Sequence, residues 1–93
     1  METDLIERRK IHYSDVDLNN HLNNTRYIEL LSDIHDSQYH LNHPIKKVTI
    51  NYLKEIKENQ VVKVCSNHSS PEIVEVKSED GNVLHFVAEI QYE

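Results

Sequence analysis

The apolar positions along this 93-residue chain change period as it proceeds. Residues 4–13 mix charge with Leu5, Ile6, Ile11 and Tyr13, and are read as a strand with neither parity cleanly apolar. Tyr27, Leu30, Leu31 and Ile34 then stand at i, i+3, i+4 and i+7, which predicts a helix from roughly Asn24 to His35. The stretch 36–43, DSQYHLNH, has no period and reads as a connection ended by Pro44. From there the pattern is of period two. Val48, Ile50 and Tyr52 alternate with Thr49 and Asn51, and the charged run KEIKEN closes that strand. Residues 60–68 form a β-branched strand stopped by Ser69, Ser70 and Pro71. Val74 and Val76 alternate with Glu75 and Lys77, and Asp80-Gly81 marks a hairpin turn. Leu84, Phe86, Ala88, Ile90 and Tyr92 share one face of the last strand. One amphipathic helix and several antiparallel strands predict a single α+β domain. The short connections between the later strands predict an antiparallel meander.

Composition narrows the function. The formal net charge of −6 argues against a nucleic-acid binder and gives no reason to expect an anionic membrane surface. No apolar run approaches the ~18 residues that span a bilayer, and charged residues rather than an apolar signal core follow Met1. Cys65 is the single cysteine and cannot form an internal disulfide, so a reducing cytoplasm is the expected location. One glycine leaves no room for a phosphate-cradling loop, and no cofactor is expected. A chain this short has a thin core, which a partner chain or second domain would help.

The chemistry concentrates just before the helix. Ser14 to Asn24 holds two aspartates, four asparagines and a histidine, without glycine or proline. Asn23 and Asn24 suit a helix N-cap. Capping leaves Asp15, Asp17, Asn19, Asn20 and His21 unexplained. Carboxylate, amide and imidazole groups beside a helix N-terminus lie where free N–H groups favour developing negative charge. His35, His40 and His43, with Asp36, match no zinc-ligand spacing, so no metal site is expected.

The run Asp17-Leu18-Asn19-Asn20-His21-Leu22-Asn23-Asn24, followed by an aromatic at Tyr27, resembles the second, catalytic hot-dog domain of acyl-carrier-protein (ACP) thioesterases. Acyl-CoA thioesterases of the 4-hydroxybenzoyl type resemble it less, since they usually carry Gly where Asn20 stands. The resemblance continues through Asn51-Tyr52-Leu53-Lys54-Glu55. It implies a hot-dog fold, a long helix wrapped by an antiparallel sheet, and hydrolysis of fatty acyl thioesters. It also implies that Asp17, Asn19, His21 and Glu55 act together as catalytic residues. Asn23, Asn24 and Tyr27 become candidate substrate-binding positions. Either carboxylate could be the base, with Asn19 and His21 orienting water and carbonyl. On a regular strand, Glu55 faces away from Val48, Ile50 and Tyr52, so reaching His21 requires a bulge or the end of the sheet.

Two departures matter. Plant members carry Cys after that Glu; here it is Ile56, which excludes a thiol mechanism at that position. The family enzymes are also about twice as long, with an N-terminal hot-dog half. The expected partners are therefore an acyl-ACP or acyl-CoA substrate and either a second copy of the chain or that other half. Arg8-Arg9-Lys10 and Lys46-Lys47 are candidate docking sites for an acidic carrier protein. The competing reading is a non-catalytic hot-dog module for acyl binding or dimerisation, or a fragment inactive alone. A hot-dog hydratase is disfavoured, because that pattern separates Asp and His by five residues; Asp17 and His21 are four apart.

Overall fold

The structure, a computed structural model, describes residues 3–93, and at Asn24 the backbone alone. In order the chain forms β1 (Asp4–Lys10), a 3-10 turn (Tyr13–Asp15), α1 (Asn24–Ser32) and α2 (Ser37–Asn42). The strands β2 (Ile45–Tyr52), β3 (Val61–Ser66), β4 (Glu72–Ser78) and β5 (Leu84–Tyr92) follow. All five strands join one antiparallel sheet in the order β1-β3-β4-β5-β2. Tyr27, Leu30 and Leu31 of α1 pack on the face bearing Val62, Val64, Val74, Val76, Phe86, Ala88 and Ile90. Val48, Ile50 and Tyr92 pack around that cluster. The alternation in the sequence thus became the two faces of the sheet. Each fully buried side chain of this kind contributes about 1.5–3 kcal/mol.

Three expectations need correction. The meander covers β3, β4 and β5 only. β2 pairs with β5 across the sheet instead of with β3 (Val48 opposite Ile90, Tyr52 opposite Phe86). The connection of residues 53–60 is not a tight turn, so it can carry the chain across to the other edge.

The single long helix is two short ones. α1 stops at Ser32, where Asp33 turns and pairs with Arg9 at 2.7 Å. Asp36 then caps a second helix by accepting the Tyr39 N–H at 2.9 Å. The segment read as a connection is therefore α2. Its lack of helical period reflects how little of it is buried. The opening strand also ends early, at Lys10; Tyr13 belongs to the 3-10 turn.

The Asp80-Gly81 turn is present. Gly81 has φ 80°, a conformation that favours glycine, and its N–H donates to Ser78 O at 2.9 Å.

One polar cluster sits at the far end of the sheet. Glu72, 2% exposed, accepts hydrogen bonds from Ser66 Oγ (2.5 Å) and Tyr92 Oη (2.6 Å), and pairs with His35 Nε2 (3.0 Å). These bonds tie β3, β4, β5 and the α1–α2 junction together. Burial pushes the Glu72 carboxyl up, but the bonds from Ser66, Tyr92 and His35 outweigh it and hold it below the ordinary carboxylate range.

Candidate active site

The polar loop folds on itself before α1 begins. Val16 and Leu22 form an isolated antiparallel bridge at its base. The Asp17 N–H donates to His21 O (2.9 Å) and the Asn20 N–H to Asp17 O (3.0 Å). The Asp17 carboxylate closes the turn, with Oδ1 accepting from the N–H groups of Asn19 (2.9 Å) and His21 (3.2 Å). This is the local side-chain-to-backbone bonding that aspartate favours in turns. Asn20 has φ 61°, which asparagine tolerates better than other non-glycine residues. That backbone requirement suits Asn at this position.

Beyond the loop, Asn23 is the N-cap of α1. Its Oδ1 accepts from the N–H (3.1 Å) and Oγ1 (3.0 Å) of Thr25. The capping reading of Asn23 thus holds. The Asn24 side chain lies outside the described atoms. The Tyr27 ring, 6% exposed, meets Tyr52 and Phe86 edge-on at 5.0 Å each. Burial first, then Tyr52 and Glu55, push its hydroxyl up, so it stays protonated. Tyr27 therefore belongs to the core and also lies within electrostatic reach of Glu55.

Glu55 joins the loop through a break in strand geometry. The N–H groups of Leu53 (2.9 Å) and Lys54 (3.0 Å) both donate to His85 O. Two residues opposite one is the pattern of a bulge, and it cancels the alternation that would turn Glu55 away. The chain is then stitched to the loop twice. The Leu22 N–H donates to Ile56 O (2.7 Å) and the Glu58 N–H to Asn20 Oδ1 (3.2 Å). Ile56 plugs into the core with no exposed surface.

Glu55 thereby lies within electrostatic reach of His21. Its own backbone amide is the main group holding its carboxyl below the ordinary range; slight desolvation opposes this, and His21, Lys57 and Lys54 reinforce it. The group is ionised at neutral pH.

Asp17, Asn19, His21 and Glu55 are all exposed. Of the four, Asp17 alone borders an open groove of about 630 Å³, lined also by Tyr13, Ser14, Val16, Leu18, Asn20 and Glu58. Tyr13 and Leu18 leave large apolar surface on its rim (80% and 106% exposed). Asn20 and Ile56 were not anticipated as parts of the site's framework. The Asn-for-Gly exchange at position 20 was the available signal for the first; nothing local marks the second.

Comparison with known proteins gives the family and the fold. The chain matches the acyl-ACP thioesterase C-terminal domain over residues 1–93. Among curated proteins, none matches by sequence. An acyl-ACP thioesterase from Bacteroides thetaiotaomicron superposes with a TM-score of 0.87 at 24% identity, covering 97% of this chain and 37% of that one. The 12:0-ACP thioesterase of Umbellularia californica gives 0.83 at 21% identity, covering 98% of this chain and 35% of that one. A Staphylococcus aureus protein solved in complex with CoA gives 0.82 at 18% identity, covering 99% of this chain and 77% of that one. The chain thus spans little more than a third of the length of these two ACP thioesterases. The likenesses establish the α+β hot-dog fold, and the family match establishes that this chain belongs to the acyl-ACP thioesterase C-terminal domain family.

Proposed function

We propose that this domain hydrolyses fatty acyl thioesters, carried on ACP or CoA, with Glu55 as the general base. The observation that carries this reading is the double stitch between residues 20–22 and 56–58, which ties the segment after Glu55 to the loop and supports an ionised carboxylate within electrostatic reach of His21. A thioester needs an activated water and a held oxyanion. It needs little acid help, because a thiol leaves readily with a pKa near ~8.5. Glu55 would take the proton from water, and His21 and Asn19 would orient water and carbonyl. The Thr25 and Arg26 amides at the start of α1 are already taken by Asn23, so the oxyanion would be met by the side chains of Asn19 and His21.

Asp17 has one oxygen already committed to two loop amides, so its role here is to hold the turn that presents Asn19 and His21. Asp17→Asn keeps an Oδ1 acceptor and should cost less activity than Asp17→Ala, which frees both amides. Equal losses in kcat/KM for the two variants would show that the charge, not the turn, is what matters. Asn23 and the backbone at Asn24 would lie at the approach of the acyl chain, with Tyr27 behind them in the core. The basic runs Arg8-Arg9-Lys10 and Lys46-Lys47 would receive an acidic carrier protein. Among the described residues no helix is long and apolar enough to cross a membrane. We place the protein in the cytoplasm, in keeping with its single, unpaired thiol.

The mechanism uses no thiol. Cys65 is 6% exposed near the end of β3, and Ile56 follows Glu55. Iodoacetamide treatment, or Cys65→Ala, should leave turnover nearly intact while stability falls somewhat. Loss of nearly all activity with an unchanged melt would place the nucleophile elsewhere.

β2 is a free sheet edge, and Ile45, Tyr52 and Leu53 at its ends are at least a third exposed (36%, 56% and 52%). An open apolar edge is a template for pairing. We propose that a second hot-dog unit covers it, which for this chain alone is a second copy related by a two-fold axis. Light scattering at micromolar concentration should give twice the 11.0 kDa chain mass. A monomer with a cooperative melt would refute the pairing.

A further inference from the structure

The imidazole of His85 is an odd choice for its place. It is 3% exposed, and its Nε2 is the one buried side-chain nitrogen or oxygen among the described residues without a hydrogen-bond partner. An apolar side chain would fill the space without burying an unsatisfied atom. What the ring supplies is its other nitrogen: Nδ1 lies 3.2 Å from Lys54 O. A carbonyl can only accept, so Nδ1 carries the hydrogen in this contact.

The bonded carbonyl belongs to the peptide unit between Lys54 and Glu55. A peptide unit is rigid and planar, so fixing its oxygen also fixes the N–H at its other end. That N–H is the Glu55 amide, the main group holding the Glu55 carboxylate in its charged form. His85 thus holds this peptide plane at its carbonyl end, and the amide at its other end is the group that most lowers the Glu55 carboxyl. Backbone bonds alone would leave this plane less defined. The bulge pins the N–H groups of Leu53 and Lys54 to His85 O but makes no contact with the plane that follows. Hydrogen bonds in series also polarise one another, so the Nδ1 contact strengthens the amide as a donor.

We propose that His85 is a positioning residue for Glu55: through the Lys54–Glu55 peptide it sets the direction in which the carboxylate meets water and His21. This rests on the reading of Glu55 as the base. His85 touches no substrate in this scheme; it acts through the backbone.

The test compares His85→Leu, His85→Asn and the parent, in three measurements. Asn carries an N–H₂ at the position of Nδ1, so it can restore the bond; Leu fills the space without a donor. In His85→Leu, kcat on an acyl thioester should fall about 10- to 100-fold with KM little changed, the scale of a misplaced catalytic group. His85→Asn should recover most of that loss. The melt of His85→Leu should match the parent or exceed it, because an unsatisfied atom is removed. The Glu55 carboxyl, followed by carbon-13 NMR, should titrate nearer the ordinary glutamate range in His85→Leu and stay low in His85→Asn.

Activity retained in His85→Leu, equal losses in both variants, or a Glu55 titration unmoved by Leu would each overturn the proposal. The titration needs no substrate. If Glu55→Gln retains full activity, the assignment of the base fails, while a shifted titration would still show that His85 positions the carboxylate.

Discussion

Glu55→Gln should lower kcat/KM on an acyl thioester by about 10²–10⁴-fold, the usual worth of general-base catalysis, and leave the melt where it was. The swap keeps shape and removes only the ability to take a proton. Glu55 is exposed, and the bulge and the two stitches that place it are made by backbone atoms and by Asn20, so packing is untouched. The parent rate should also fall on acidification, as Glu55 becomes protonated below the ordinary glutamate range. The rate of Glu55→Gln should lack that limb of the profile. A variant that keeps its rate would return the base role to Asp17, the other carboxylate of the pattern.

The second large effect concerns stability. Glu72→Ala should destabilise the domain by about 3 kcal/mol, since it strips the acceptor from one buried hydroxyl, one half-buried hydroxyl and one imidazole. For a domain this small, each kcal/mol shifts Tm by roughly 4–8 °C. Acid should weaken the same contact. The Glu72 carboxyl is held below its unfolded value of 4.5, so its contribution is present above that pH and is lost as pH falls through the folded value. The stability gap between the parent and Glu72→Gln should therefore shrink below about pH 4.5. A gap that stays constant from neutrality to strong acid would show that the charge adds nothing.

Much of this molecule was legible wherever burial imposed a period. Leu30 and Leu31 on one face of α1, and Phe86, Ala88 and Ile90 on one face of β5, are buried as their spacing required. The polar loop stood out by its composition, and the structure gives Asp17, Asn20 and Asn23 duties in the turn and the cap as well. What stayed hidden depends on contacts distant in sequence. β2 lies against β5 because the 53–60 connection crosses the sheet, and no local signal encodes that choice. α2 is held by the Asp36 cap and by Tyr39 against His35 and Tyr92, with ring centroids 3.8 and 5.4 Å apart, not by an apolar stripe. The need for a bulge or the end of the sheet before Glu55 followed from strand parity, and β2 ends at Tyr52. The bulge itself, one carbonyl of His85 shared by two amides, required the partner strand.

The central claim is that Glu55 and the 17–21 loop form one catalytic centre. A double-mutant cycle reads this directly, with kcat/KM for thioester hydrolysis measured on the parent, Glu55→Gln, His21→Ala and the double variant. Residues that act as a unit are strongly non-additive. The expected result is a double variant hardly slower than the slower single variant, with all four melts alike. A double variant whose loss equals the product of the two single losses would contradict a shared centre.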